Sequence, residues 1–293
     1  MDFSTFLIAV YCIIDDWLKE QPPLRQRGPR PTLSDSEVLT MEVVGEFLGI
    51  DTDKGLYAFF RRHYLDWFPG LGQIHRTTFV RQAANLWAVK ARLWRYLLDQ
   101  LEFDPQLSIV DSFPVSVCRF ARAYRCRRLA EMSAYGYDEM AKQTFYGLRA
   151  HLRVCWPGVI VGFSLPPANQ HDLEVAETDL LDGVQGWVLG DRNYWSPQRA
   201  EFLKRQGVHL VAPYKSAKRE KHPWPRWLVW IRRRIETVIG QLVERYHAKK
   251  VWARDAWHLW SRWLRKVVSH TMAALLCQQA GLPPLRFSEL LIN

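Results

Sequence analysis

The chain has no Cys-x-x-Cys pair: its five cysteines, Cys12, Cys118, Cys126, Cys155 and Cys277, are scattered and odd in number. That excludes a disulfide framework and a zinc knuckle, and it fits a reducing, cytoplasmic setting. Long apolar runs are missing too. Residues 6–14 are apolar but lack a basic leader and run into Asp15-Asp16, and residues 271–277 are shorter still, so neither a signal peptide nor a membrane span is expected. Acids are scarce in one place only. Residues 213–270 hold 15 basic side chains against 4 acidic, whereas residues 1–101 hold 12 of each and 102–212 hold 12 and 13. The net charge of +10 is therefore local, and a local positive excess is how a protein meets a polyanion.

What is present is a hydrophobic content of 48% over 293 residues, with 14 Trp, enough for one large core or two modest ones. Phe3, Phe6, Leu7, Val10, Ile14, Trp17 and Leu18 recur at helical steps and predict an amphipathic helix over 2–20. A proline-rich linker over 21–31 carries Arg25, Arg27 and Arg30. Ser34-Asp35-Ser36-Glu37 is a capping box with Leu33 and Val38 placed as a hydrophobic staple, so a helix should run from there to about 48. A short helix follows over 56–67, closed by Pro69-Gly70. Thr77 or Thr78 then caps a long one reaching Leu101, with Arg76, Arg81, Lys90, Arg92 and Arg95 and no acid before Asp99. This all-helical stretch is either a bundle with a solvated basic face or a helix-turn-helix-like reader of DNA ends.

After Asp104-Pro105 the texture turns strand-like. Residues 107–110 form a strand ended by Pro114, and 145–155 and 159–165 form a hairpin around Pro157-Gly158. Residues 170–181 are helical in pattern, 187–189 a strand, 196–206 a helix opened by Ser196-Pro197, and 209–212 a last strand. The order is that of an α/β unit on a mixed sheet. Three carboxylates stand out in it: Asp111 and Asp191 end apolar strands, and Glu236 lies on a helix within Arg232-Arg233-Arg234-Ile235-Glu236. Hard Mg²⁺ ions take such oxygen ligands, and two ions held together stabilise both the attacking and the leaving oxygen of an in-line displacement. Taken singly, an Asp after a strand is usually a cap or turn residue. Glu244, eight residues beyond Glu236 and roughly 80° around the same helix, is the rival third ligand. Asp172 is a helix-start residue with a supporting role near the site.

Arg119, Arg122, Arg125, Arg127 and Arg128 follow the first strand without an apolar period, as an inserted loop or short helix suited to phosphate contact. Between Lys215 and Lys266, cations interleave with seven Trp; Trp257, Trp260, Trp263 and Val267 fall at helical spacing and are mostly core, while Trp224 and Trp227 are freer to touch DNA.

Val110-Asp111-Ser112-Phe113-Pro114-Val115, Phe145-Tyr146-Gly147 with His151, Ala168-Asn169-Gln170-His171-Asp172, Leu189-Gly190-Asp191 and the N-terminal Leu33-Ser34-Asp35-Ser36-Glu37-Val38 together resemble bacterial insertion-sequence transposases of the DDE class, in the group typified by insertion sequence 982. The resemblance covers essentially the whole chain. It implies a ribonuclease-H-like mixed-sheet catalytic domain over 102–293 behind an all-helical region over 1–101. It also implies a Mg²⁺-dependent triad at Asp111, Asp191 and Glu236, and cutting and joining of transposon ends. Relatives often carry a Tyr three residues before the Arg of Arg-x-x-x-Glu and a Lys seven after the Glu; Val229 and Val243 stand there. Arg149 stands where relatives tend to have Lys.

The expected activity is thus DNA cleavage and strand transfer by a polynucleotidyl transferase with two Mg²⁺, replaceable by Mn²⁺. The expected partners are double-stranded terminal inverted repeats and target DNA, met by a homodimer or higher oligomer associated with the nucleoid. Arg76, Arg81, Lys90, Arg119, Arg122, Arg149, Lys215, Lys218, Arg219, Lys221, Arg232 and Arg233 are the expected DNA contacts. His151, Asn169, His171 and Asp172 support the site. A structure-specific nuclease on the same scaffold, or an inactive or domesticated DNA-binding relative, remains open at this point.

Overall fold

The computed structural model describes residues 1–25, 28–215 and 224–291. Five helices come first: α1 (Phe3–Glu20), α2 (Asp35–Phe47), α3 (Asp53–His63), α4 (Arg76–Asn85) and α5 (Trp87–Asp99). Then come β1 (Asp104–Ser116), β2 (Ala134–Asp138), β3 (Gln143–Trp156), β4 (Val159–Ser164), α6 (Asp172–Val175), β5 (Gly186–Leu189), α7 (Pro197–Arg205) and β6 (Val208–Val211), followed by two long helices, α8 (Arg226–Glu244) and α9 (Ala256–Gln279). Among the described residues no helix is long and apolar enough to cross a membrane.

The chain folds into two compact units. One contains residues 1–101, 242–248 and 252–293, the other 102–241 and 249–251. The break at 101/102 falls where the composition changes, but residues 242–248 and 252–293, expected with the sheet in one unit over 102–293, belong with the N-terminal helices instead. Most of α9 is buried, from Trp263 and Leu264 through Val267 and Val268 to Cys277, the charged Arg265 and Lys266 included, and a helix buried on nearly every side must be surrounded. Helices α2, α4 and α5 surround it.

In the helical unit α1 buries Phe6, Leu7, Val10, Ile14 and Trp17. The capping box forms: the Glu37 N–H donates to Ser34 Oγ at 3.1 Å and the Ser34 N–H to Glu37 Oε2 at 2.6 Å. The long helix expected over 77–101 is instead two, α4 and α5, broken at Leu86, with His75 and not Thr77 or Thr78 as the cap. A single straight helix would offer α9 one stripe; the break lets both segments lie against it.

Helix α2 is buried nearly all round, so its acids Glu42 and Glu46 are buried as well, at 1% and 0% exposure. Buried carboxylates require cations. Lys90 supplies one, donating to Glu42 Oε2 at 2.7 Å, Ser261 Oγ at 2.8 Å and the Ala83 carbonyl at 3.0 Å. Arg265 donates to Glu46 Oε1 at 2.5 Å and Asp53 Oδ1 at 2.6 Å, and Lys266 to Glu46 Oε2 at 2.8 Å. Lys90 is therefore corrected: a fully buried ammonium with four oxygens around it is a core cation and no DNA contact.

His270 is also buried, against Tyr246 and Phe287 at ring-centroid distances of 5.9 and 5.0 Å. Desolvation pulls it down to about 3. A folded-state pKa below the unfolded 6.5 means that stability is complete above 6.5 and declines as pH falls from there toward 3. Between pH 7 and pH 5 this group alone should remove about 2 kcal/mol. Urea midpoints at the two pH values should differ by correspondingly less in His270→Phe than in the unaltered chain; an identical pH response would show that His270 does not carry the loss.

The second unit is a six-stranded mixed sheet in the order β2-β3-β1-β5-β6, with β4 also paired to β3. Strand β3 runs antiparallel to both β1 and β4, and β5 and β6 run parallel to β1 on its other side. This is a ribonuclease-H-like sheet. Strand β1 does not stop at Pro114; it continues to Ser116. The Val117 N–H donates to Tyr146 O on β3, so with period two the amide position of Pro114 faces the opposite edge. That edge is open, because β5 pairs only with Leu107–Ile109, and proline is tolerated there. Residues 119–132 hold two 3-10 turns, and β2, unexpected from the sequence, extends the sheet. The helix expected over 170–181 is α6 followed by a π-helical turn, Ala176–Leu180.

Candidate active site

Parallel pairing sets the site. Ile109 of β1 lies opposite Leu189 of β5, so two residues further along each chain Asp111 and Asp191 reach the same level, on neighbours spaced about 4.8 Å apart. Asp191 has left the strand and caps a 3-10 turn, accepting from the Asn193 N–H at 2.9 Å. Gly190 permits the turn: a Cβ there would meet Tyr194 Cβ at 2.7 Å. Asp111 accepts from its neighbour Ser112 N–H at 2.7 Å.

A third carboxylate joins them from α6. Asp172 accepts from Ser112 Oγ at 3.1 Å and from Asn193 Nδ2 at 3.4 Å, with Arg149 Nε 4.0 Å and His151 Nε2 3.8 Å away. Ser112 and His151 are paired across β1 and β3, and Arg149 faces Pro114. Arg149 also donates to Ser112 Oγ at 3.4 Å and to the Tyr137 carbonyl at 2.7 Å. His151 is fully buried, and desolvation pulls it down to about 4, so it is neutral at pH 7.

The carboxylates strain one another electrostatically. Desolvation, then the Asp191 charge, pushes Asp111 up to about 7; the Ser112 N–H and Arg232 oppose this, and Asp172 adds to it. Asp191 is raised by desolvation and by Asp172 and Glu139. Tyr194 lies beneath, its hydroxyl buried and without a hydrogen bond among the described residues; desolvation and the three Asp charges raise it well above its ordinary value. Oxygen donors that repel one another until a cation arrives fit a hard divalent ion.

Glu236 stands differently. Arg232 Nη2 donates to it at 3.0 Å, and about half of its side chain, 51%, is exposed. Among the described residues no group of three or more His, Cys, Asp or Glu side chains is gathered closely enough to hold a metal. Asp111 and Asp191 are brought together, then, while Glu236 is held by the guanidinium one turn before it. Arg232 is the link, because its charge lowers both Asp111 and Asp191.

Of the expected DNA contacts, Arg119 and Arg122 are exposed in the turns after β1, Arg233 is exposed on α8, Lys215 follows β6, and Arg76 and Arg81 are exposed on α4. Lys218, Arg219 and Lys221 lie outside the described residues, as does Arg27 of the linker. His171 caps α6, accepting from the Leu173 N–H at 3.3 Å; Asn169 is exposed. Ser112, Asn193 and Tyr194 were not singled out from the sequence. Their only signal is nearness in sequence to Asp111 and Asp191.

A family model described as the transposase DDE domain matches residues 104–251, just over half of the chain. The chain belongs to the DDE transposase family. The matched stretch is the sheet unit and α8, in which Asp111, Asp172 and Asp191 assemble. Neither a curated protein nor a solved structure matches the chain.

Proposed function

We propose that this DDE transposase cleaves the ends of a mobile DNA element and joins them to target DNA by metal-dependent in-line phosphoryl transfer. The observation that carries this is the matched level of Asp111, within β1, and Asp191, just past the end of the parallel β5, with their charges uncompensated by any described side chain in direct contact. Asp111 and Asp191 would hold Mg²⁺, with Glu236 as third ligand once Arg232 releases it. Bound ions would activate the nucleophile, water for cleavage and the DNA's own 3′-hydroxyl for joining, and offset charge on the attacking and leaving oxygens.

The chain's own residues orient and balance the site. Ser112 holds Asp111 and Asn193 holds Asp191 by a backbone N–H, and each holds Asp172 by a side chain, so the three aspartates form one hydrogen-bonded frame. Arg149 braces that frame from β3. Neutral His151 fills the space behind Asp172 without adding charge. Arg232, when it leaves Glu236, is positioned to meet the scissile phosphate. Arg119, Arg122, Arg233 and Lys215 grip the backbone beyond it. Arg76 and Arg81 of α4 read the element's end, and a dimer or higher oligomer brings two ends together.

Strand cleavage of an end-containing duplex should require Mg²⁺ or Mn²⁺, while Ca²⁺ should support binding with little turnover, given its looser coordination. Gel assays of cleavage and binding across the three metals decide this. Full cleavage in excess chelator would overturn the proposal.

A further inference from the structure

The helical unit contains a cavity of about 790 Å³ that the catalytic chemistry does not use. It is walled by the start of α3, by α4 and by the segment entering α9. Lys54, Arg76, Arg81 and Arg254 face it, all exposed and none with an ion pair or side-chain hydrogen bond among the described residues. The acids nearby are already engaged. Asp53 binds Arg262 and Arg265, and Asp255 caps α9 through the His258 N–H at 2.9 Å. Like-charged side chains gathered without counter-charges call for an anion.

Two tryptophans complete the wall. Trp252 and Trp257 expose 52% and 45% of their surface, where Trp263, two turns along α9, exposes 3%. The Trp252 indole N–H donates to Asp51 Oδ2 at 3.1 Å, which fixes the ring while leaving it uncovered. A ring held by its edge and bare over much of its surface is a stacking plane set in advance. The ligand chemistry follows by elimination. A simple polyanion would leave the indoles unused, an apolar peptide would leave four cations unpaired, and a closed duplex hides its base faces in its own stack. A single strand offers both negative phosphates and free base faces.

From this geometry we infer that the cavity binds an unpaired stretch of DNA strand, with a base on Trp252 or Trp257 and flanking phosphates on Arg76, Arg81, Lys54 and Arg254. This rests on the chain acting on DNA, but assigns a strand form and a site apart from the carboxylates. An enzyme that opens an element's end gains a place to hold the freed strand.

The test uses the full chain, with a labelled oligothymidylate of about twelve nucleotides and a fully paired duplex of the same length as probes. Trp252→Ala with Trp257→Ala should weaken oligothymidylate binding at least about ten-fold and duplex binding far less. Arg76→Ala with Arg81→Ala should flatten the oligothymidylate salt slope by about 0.7 for each phosphate that is no longer neutralised. Photocrosslinking of the unaltered chain to 5-iodouracil oligonucleotide guards against a misfolded variant, and adducts are expected at Trp252 or Trp257. Adducts confined to other residues, or equal losses on both probes in the tryptophan variant, would overturn the assignment. Metal-dependent cleavage of duplex ends is scored separately, so loss of this site and loss of the transposase chemistry give different results.

Discussion

Asp111→Asn should lower strand cleavage by at least about 10³-fold while leaving DNA binding within a few-fold. The substitution removes a formal charge and barely changes volume, so β1 and its pairing to β3 should survive. Asp191→Asn should behave alike, since its Oδ1 keeps its bond from the Asn193 N–H while the charge is gone. The informative comparison is with the other acids. Asp172→Asn weakens the frame around Ser112 and Asn193, and a positioning role predicts a loss of about 10- to 100-fold with metal affinity reduced in step. Glu236→Gln should match Asp111→Asn if the third ligand is on α8, and Glu244→Gln should have no comparable effect. Cleavage that survives Glu236→Gln but not Asp172→Asn would move the third ligand onto α6. Single-turnover cleavage with parallel binding measurements separates these outcomes.

The largest stability effect should come from Arg265→Met. Arg265 is 1% exposed and lies between Glu46 and Asp53, with Glu42 at 3.6 Å. Those carboxylates, Glu46 first, outweigh its desolvation and hold it charged. Removing the guanidinium strands them in the interior, which costs about 3–5 kcal/mol, far more than the pair's net worth against an apolar replacement. For a unit of this size that is a fall of roughly 10 °C in unfolding temperature. Glu42→Leu with Lys90→Met removes both partners of the neighbouring pair and should cost less than either single change. Calorimetry measures all of these, and a shift under about 2 °C for Arg265→Met would show that the network does not hold the unit together.

These buried charges mark where one-dimensional pattern failed. Lys90 sits among Arg81, Arg92 and Arg95, and by composition it belongs to a basic face. Only the packing of α5 on α9 turns it inward. The counter-signal was in α2, whose Glu42 and Glu46 interrupt a run otherwise apolar around the whole helix. An acid pair four residues apart in such a run requires cations from elsewhere, though not from any particular residue.

Local chemistry determined much of the rest without tertiary help. The capping box at Ser34 formed because its partners are three residues apart. The α1 stripe followed from its period, and the hairpin turned at Pro157-Gly158. The two aspartates were legible because each follows a buried apolar run, although only Asp191 lies past the end of its strand; Asp111 sits within β1, which runs on to Ser116. Tertiary structure alone decided which carboxylates meet. The register of β5 on β1 set Asp191 beside Asp111, and the short α6 carried Asp172 between Ser112 and Asn193, sixty residues from the first and twenty-one from the second. It also drew α9 back to the N-terminal helices, whose buried Glu46 meets Arg265 and Lys266 and whose apolar side chains cover the rest of its surface, and nearness in sequence has no part in that choice.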